Sequence, residues 1–239
     1  MLSHLSLIDA CERNDTTSAK ILIDNKAILN IQNKNGETAL HFACWYNNIE
    51  LVNILIAPKN GIKANLNIQN EDGQTCLHWA CYRNYTEIAE ILITPKSGIG
   101  ANLDIQDKEG HSPLMNACAH GNKKLVKMLI DNKAKLDLQN NKECCTALII
   151  ACCLGHMGTA KILIAPKNGI KANLDIQDHL GLSALIWVCE INNIEIVKML
   201  IDNKANLDLR VDYDGYTPLL WACKKNNTEI VSYMLEHNT

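Results

Sequence analysis

The sequence predicts an all-α fold, a solenoid of helix-turn-helix units linked by short β-hairpin-like loops. Three observations predict it. A short phrase recurs along the chain at a spacing of 34 or 37 residues. Two stretches with helical periodicity follow each copy, and an Asn or a Gly separates them. One such helical hairpin cannot bury its apolar stripe alone, whereas stacked hairpins share a continuous core.

The recurring phrase marks the start of the first helix in each unit. Its copies span residues 36–41, 73–78, 110–114, 181–185 and 215–219, and a sixth copy at 144–148 lacks the opening glycine. A seventh unit begins near Leu7 without the phrase. The hydroxyl residue of the phrase predicts a helix N-cap, because it can accept a hydrogen bond from an N–H of the first turn. These predicted N-caps are Thr38, Thr75, Ser112, Thr146, Ser183 and Thr217.

The residue between the two helices is always one that tolerates a left-handed backbone, so we expect the first helix to end and the chain to reverse there. These residues are Asn14, Asn47, Asn84, Gly121, Gly155, Asn192 and Asn226. The second helix has an apolar stripe that places one face inward. An example of the stripe is Leu51, Val52, Leu55 and Ile56.

The unit resembles the ankyrin repeat, whose signature is Gly-x-Thr-Pro-Leu-His-x-Ala with a period of about 33 residues. Residues 36–43 and 73–80 follow this signature apart from the proline, which two other copies retain. The signature histidine, as in His41, gives way to apolar residues in the later copies. The resemblance implies a single ankyrin-repeat domain over residues 1–239. Its repeats would span about 1–33, 34–70, 71–107, 108–140, 141–178, 179–211 and 212–239.

The ends and the inserted segments complete the predicted stack. Polar residues in the first unit and in the last helix predict solvent-facing caps, and we expect a complete stack of seven units. Three units carry extra residues after the second helix, as in the segment 57–63. We expect such an insertion to form a tolerated surface loop. The alternative is a second binding edge.

Charge and composition exclude several classes of partner. The 239 residues carry a formal net charge of −3, so neither nucleic acid nor an anionic membrane is expected to bind. The N-terminal residues lack a signal-peptide pattern and no apolar stretch is long enough to span a bilayer, so we expect a cytoplasmic monomer. The richness in Lys, Asn and Ile indicates an AT-rich genome, which leaves open a pathogen effector secreted into the host cytosol.

Most of the 11 cysteines follow the repeat. Seven occupy one position on the apolar face, which predicts buried free thiols in a reducing compartment: Cys11, Cys44, Cys81, Cys118, Cys152, Cys189 and Cys223. The fifth unit adds Cys144, Cys145, Cys153 and His156. These ligand types suit zinc but their spacing matches no known zinc site, so we predict no metal. An oxidisable thiol at Cys145 or Cys153 is the alternative.

No catalytic motif is recognisable in the sequence. It contains no phosphate-binding glycine loop, no nucleophile elbow and no His-Glu-x-x-His pair. Its carboxylates are spread out, and none forms an evident acid–base pair. We therefore predict that the chain is not an enzyme and needs no cofactor.

The aromatic residues give the best indication of a binding site. Nine of the 11 aromatics, including every Trp, fall on the concave and hairpin face that the resemblance implies. The predicted partner-binding residues are Phe42, Trp45, Tyr46, Trp79, Tyr82, Arg83, Trp187, Glu190, Tyr213, Tyr216 and Trp221. Trp45, Tyr46 and Tyr82 are expected to be exposed. The four rings next to Ala-Cys could instead pack adjacent first helices: Phe42, Trp79, Trp187 and Trp221.

These residues favour a protein–protein interaction module that binds a partner protein or peptide on the concave and hairpin face. A polar rim would come from Glu37, Glu71, Asp72, Lys224 and Lys225, together with Arg83 and Glu190. The alternatives are a redox- or metal-sensitive regulator that uses the cysteines of the fifth unit, and an architectural spacer whose inner aromatics are buried by their neighbours.

Overall fold

The computed structural model describes residues 6–57, 61, 63–95, 98, 100–166 and 169–237, and this part of the chain contains fourteen α-helices and no strand. The predicted all-α class is therefore confirmed. The helices are α1 (Leu7–Glu12), α2 (Thr16–Asp24), α3 (Ala39–Trp45), α4 (Ile49–Ile56), α5 (Cys76–Tyr82), α6 (Thr86–Ile93), α7 (Pro113–Ala119), α8 (Lys123–Asp131), α9 (Ala147–Cys153), α10 (Met157–Ile164), α11 (Ala184–Glu190), α12 (Ile194–Asp202), α13 (Pro218–Lys224) and α14 (Thr228–His237).

The helices form consecutive pairs that fall into two compact units, Met1–Lys108 and Glu109–Thr239. The first unit contains α1–α6 and the second contains α7–α14. Most of the predicted insertion at 57–63 lies outside the described residues, so its role stays a prediction. None of the described helices has both the length and the apolar character needed to cross a bilayer.

Helix starts and reversals lie where the sequence predicts them. Each predicted N-cap residue precedes its helix in an extended conformation, as Thr146 does with ψ 168° before α9. The Thr146 hydroxyl accepts a hydrogen bond from the Ile149 N–H at 3.3 Å. All seven reversal residues have positive φ, between 54° at Asn47 and 72° at Gly155. Short polar side chains and glycine tolerate this conformation best, which explains their exclusive use here.

Packing repeats from pair to pair within each unit. First helices contact first helices and second helices contact second helices, as in α3 with α5 and α4 with α6, or α9 with α11 and α10 with α12. The predicted stripe on α4 is almost completely buried, with Leu51, Val52 and Leu55 at 0% exposure. Removing such side chains from water is the main source of stability for stacked hairpins.

Glutamine side chains join neighbouring turns. The Gln32 Nε2 donates to the Gly36 carbonyl of its own turn at 2.7 Å and to the Gln69 carbonyl of the next turn at 3.0 Å. Gln69 repeats this pattern in the first unit, as do Gln139 and Gln177 in the second. No role for these glutamines was predicted from the sequence, although a Gln recurs before five of the six turns, with Arg210 before the sixth.

The turns before α9 and α13 are one residue longer than those before α3, α5 and α11. Asn140 N–H donates to the Cys145 carbonyl, whereas in the first unit Asn33 N–H donates to Glu37, one position closer. Cys144 takes the place of the missing glycine and has φ 54°. A left-handed backbone at a residue with a Cβ is unfavourable, so this turn is strained relative to the glycine-containing turns.

One prediction about the C-terminal pair is wrong, because Cys223 is exposed rather than buried. The polar residues Ser232, Glu236 and His237 of α14 are exposed, as predicted for a cap, but Leu220 and Leu235 are also exposed, at 49% and 61%. The equivalent of Leu220 in the first unit, His41, has 0% exposure because α5 covers it. Within the described chain no further helix pair follows α14 to cover the same positions.

Replacing Gly36 with alanine should destabilise the protein more than the same change at Gly215. A Cβ on Gly36 (φ 74°) would lie 2.8 Å from the Glu71 nitrogen of the next turn, whereas one on Gly215 (φ 70°) would meet nothing within 4 Å. We expect losses in the free energy of unfolding of about 2–4 kcal/mol and about 1 kcal/mol respectively. Urea unfolding followed by circular dichroism measures both, and equal losses would contradict the close approach.

His41 should make stability depend on pH. Its Nδ1 accepts from the Thr38 N–H at 3.1 Å, and its Nε2 bonds the Gln74 carbonyl of the next turn at 3.2 Å. Desolvation by burial lowers the pKa of His41 below 6.5, although the bond to Gln74 opposes this. The unfolded chain therefore binds a proton at a higher pH than the folded chain does.

The free energy of unfolding should fall as the pH drops below 6.5 toward the lower folded pKa of His41, and this contribution should be constant above 6.5. Urea titrations between about pH 8 and about pH 5 test this. The His41→Met variant, which borrows the residue of the fourth unit, should lose this part of the dependence. An unchanged pH profile in that variant would assign the effect to another group.

Candidate functional site

The first unit contains an open groove of about 440 Å³ that we call the Trp45 groove. Helices α1, α3 and α5 and the turns before α3 and α5 supply its walls. It is lined by Glu12, Glu37, Phe42, Trp45, Tyr46, Asp72, Gln74, Trp79, Tyr82 and Arg83. All six residues that the sequence predicted for this unit therefore come together in one place.

The rings of the Trp45 groove pack edge to face. Trp45 and Trp79 have centroids 5.0 Å apart at 64°, and the Arg83 guanidinium lies 3.9 Å from the centre of a Trp45 ring. The Trp79 Nε1 donates to the Gln74 Oε1 at 2.6 Å, which fixes that indole. Such contacts hold aromatic side chains in defined positions, so the groove is preorganised.

Exposure separates the rings of this groove into two classes. Phe42 and Trp79 are each only 9% exposed, so they pack the first helices together. This is the alternative role that the sequence left open for these two positions. Trp45 at 41%, Tyr46 at 43% and Tyr82 at 59% face solvent. The Tyr46 hydroxyl also donates to the Glu12 backbone carbonyl at 2.8 Å. The three exposed rings form the accessible part of the groove.

The second unit contains a groove of about 360 Å³ that we call the Trp187 groove. Leu182, Ile186, Trp187, Glu190, Tyr213, Trp221, Lys224 and Lys225 line it. Tyr213 is 62% exposed, whereas Trp221 is only 7% exposed and packs α13 against α11. Tyr216 does not line the groove but stands edge-on to Trp221, with centroids 6.4 Å apart.

A polar network fixes the rings of the Trp187 groove. Glu190 accepts from the Trp221 Nε1 at 2.9 Å and from the Lys225 Nζ at 2.7 Å. Partial desolvation opposes ionisation of Glu190, but these two hydrogen bonds outweigh it and lower the pKa of the carboxyl. The Trp187 Nε1 donates to Asp178 at 3.0 Å. The cations and anions of this groove are therefore largely paired with each other.

Lys224 completes the edge of the Trp187 groove. Its Nζ lies 4.7 Å from the centre of the Tyr216 ring and 5.0 Å from that of Trp221, and it pairs with Asp214 at 3.5 Å. An ammonium group between two ring faces and a carboxylate is well stabilised. This leaves Tyr213 as the most exposed ring of the cluster.

Several residues that line the grooves were not predicted from the sequence. Glu12 and Gln74 line the Trp45 groove, and Leu182 and Ile186 line the Trp187 groove. Gln74 and Leu182 precede the N-caps of α5 and α11, so their place beside the rings depends on how consecutive units pack. Periodicity alone carries no signal for this.

Three of the four cysteines of the fifth unit are poor reactive groups. Burial raises the pKa of Cys152 to about 12. Burial, with the nearby charges of Asp178 and Glu143, also raises that of Cys145 to about 12. Burial and Asp178 raise the pKa of Cys153 as well. A protonated thiol ligates metals and oxidises slowly. Among the described residues, no three His, Cys, Asp or Glu side chains are grouped so that they could hold a metal ion.

Stacked pairs of short helices, with turns bridged by side chains, define a helical repeat scaffold whose open faces carry side-chain clusters. The family model described as ankyrin repeats (3 copies) matches residues 7–103, 96–178 and 168–239. The chain therefore belongs to the ankyrin-repeat family, and the predicted resemblance and the ankyrin-repeat solenoid class are confirmed.

A solved structure agrees with this assignment. The chain is similar to the ankyrin repeat domain of Bcl-3, described as a unique member of the IkappaB protein family, with a TM-score of 0.77 and 21% identity. The match covers 96% of this chain and 99% of that one. At this identity the likeness shows the fold alone. No curated protein sequence matches the chain.

Cys223 should be the first thiol to react in the native protein. It is exposed, whereas burial raises the pKa of Cys11 and Cys189 to about 12. Brief treatment with N-ethylmaleimide followed by peptide mapping should find Cys223 modified ahead of these two. The Cys223→Ser variant should lose the fast-reacting thiol. Equal labelling of Cys11 or Cys189 would show that the repeat core opens readily.

Proposed function

We propose that this chain is a protein–protein interaction module that binds a partner protein or peptide through the Trp45 groove and the Trp187 groove. The observation that supports it most is Trp45, an indole that stays 41% exposed while Trp79 and Arg83 hold it in place. Exposed, clustered Trp and Tyr side chains are enriched in binding hot spots. Membership of the ankyrin-repeat family agrees with a binding role.

Rigid stacking suits this function. Both grooves are built on helices whose inner faces are buried, and the groove rings are fixed by hydrogen bonds to Gln74, Asp178 and Glu190. A preorganised surface loses little conformational entropy on binding. We propose that the chain binds as a monomer, without a cofactor, and that it catalyses no reaction.

Regulation through the cysteines of the fifth unit is the weaker hypothesis. A redox or metal switch needs accessible thiolates, and the raised pKa of Cys145 and Cys153 opposes their formation. The spacer hypothesis also fits poorly, because Trp45, Tyr82 and Tyr213 remain between 41% and 62% exposed. A spacer would need none of these rings at its surface.

Alanine substitution of Trp45 and Tyr82 should weaken partner binding strongly. Removal of a hot-spot ring costs about 2 kcal/mol or more, so each single variant should lose at least about thirtyfold in affinity. The partner is first captured from the source cells with the wild-type chain and identified. Its affinity for each variant is then measured by calorimetry.

The control for this experiment is Ile28→Ala. Ile28 is an apolar side chain with 69% exposure on the first unit, and it does not line the Trp45 groove. This variant should bind the partner as the wild type does, and all variants should keep their far-UV circular dichroism. If Trp45→Ala and Tyr82→Ala bind as well as Ile28→Ala, the Trp45 groove is not the binding site.

A further inference from the structure

The two grooves differ in the charge that they offer. The rim of the Trp45 groove carries three carboxylates, from Glu12, Glu37 and Asp72, against the single guanidinium of Arg83. The Trp187 groove carries the two ammonium groups of Lys224 and Lys225 against Glu190. The two grooves therefore have similar aromatic linings but rims of different charge. Only the rim of the Trp45 groove carries more negative than positive groups.

The carboxylates of the Trp45 groove have no salt-bridge partner among the described residues. Glu12 and Asp72 are exposed, and neither they nor Glu37 takes part in a salt bridge in the described part of the chain. The Glu37 carboxylate accepts one hydrogen bond, from the uncharged Asn33 amide at 2.9 Å. Like charges around a concave apolar surface focus a negative potential into it. Among the residues that line the groove, only Arg83 opposes this potential.

The aromatic rings of the Trp45 groove also favour a cation. Indole and phenol faces attract positive charge, and a guanidinium can stack flat on them. The chain itself shows the arrangement, because the Arg83 guanidinium lies 3.9 Å from the centre of a Trp45 ring. Tyr46 and Tyr82 present further exposed ring surface beside it.

We propose that the Trp45 groove binds a peptide segment that carries an arginine side chain. The guanidinium stacks on the exposed Tyr46 and Tyr82 rings, because Arg83 already lies over Trp45, and it donates hydrogen bonds to the carboxylates of the rim. Its aliphatic stem covers the apolar side chains of the groove. Arginine suits this site better than lysine because its planar fork matches a carboxylate while its face contacts a ring. The volume of about 440 Å³ is enough for a few side chains. This inference rests on the proposed function and names the chemistry of the partner.

The test selects ligands from a phage-displayed library of short random peptides. The full chain is the bait, and the double variant Trp45→Ala/Tyr82→Ala removes phage that bind elsewhere. We expect the recovered peptides to be enriched in arginine and depleted in glutamate and aspartate. Recovery of acidic peptides, of peptides without arginine enrichment, or of none at all would overturn the proposal.

A charge-matched pair of variants then tests the rim. The recovered peptide is synthesised, and its affinity is measured for the wild type and for Glu12→Gln/Asp72→Asn, which preserves the backbone carbonyls that accept from Tyr46 and Lys108. We expect a loss of about five- to tenfold, decreasing as salt is added. The control Glu50→Gln/Glu87→Gln removes two exposed charges from α4 and α6, outside the groove, and should lose less than about twofold.

The outcomes separate this inference from the proposed function. Equal losses in the two charge variants would show a general charge effect and overturn the role of the rim. Peptides that depend on Trp45 and Tyr82 but not on Glu12 and Asp72 would leave the binding groove intact and overturn the proposed pairing of the arginine with the rim carboxylates. Failure of the proposed function itself would appear separately. The captured partner would then bind Trp45→Ala and Tyr82→Ala with the same affinity as the wild type.

Discussion

Each helix pair in this chain depends on a neighbouring pair to bury its apolar flank. Leu40 in α3, Leu77 in α5, Leu55 in α4 and Leu92 in α6 have no exposed surface, because first helices pack on first helices and second helices on second helices. An isolated hairpin of two short helices would expose these side chains and would not be stable in water. Stability therefore belongs to the contact between neighbours rather than to any single repeat.

Polar contacts between turns set the spacing at which this burial occurs. Gln32 bridges two turns through its amide, and His41 reaches the Gln74 carbonyl of the next repeat. The turns approach so closely that a Cβ on Gly36 would meet the neighbouring backbone at 2.8 Å. Gly36 thus permits the close approach of two turns, and Gln32 and His41 pair with backbone carbonyls where those turns meet.

The grooves arise from the same stacking, because it places equivalent positions of consecutive first helices side by side. The position after the repeat cysteine is Trp45 in α3 and Tyr82 in α5, but Glu190 in α11 and Lys224 in α13. Since this position faces solvent rather than the core, its residue can change without loss of the fold. The Trp45 groove is accordingly aromatic with an acidic rim, whereas the Trp187 groove is crossed by internal ion pairs.

The sequence by itself determined the all-α class, the helix starts and the left-handed reversals, because these depend on local patterns such as Thr146 before a helix and Asn47 after one. With the family resemblance, it also predicted which rings lie along the two grooves, except that Tyr216 does not line the Trp187 groove. Only the tertiary structure decided which rings are open, because the exposure of Trp79 and Trp45 depends on the neighbouring repeat. The longer turn at Cys144 and the bridging amides likewise involve backbone groups of separate turns, which no periodicity within one repeat reveals.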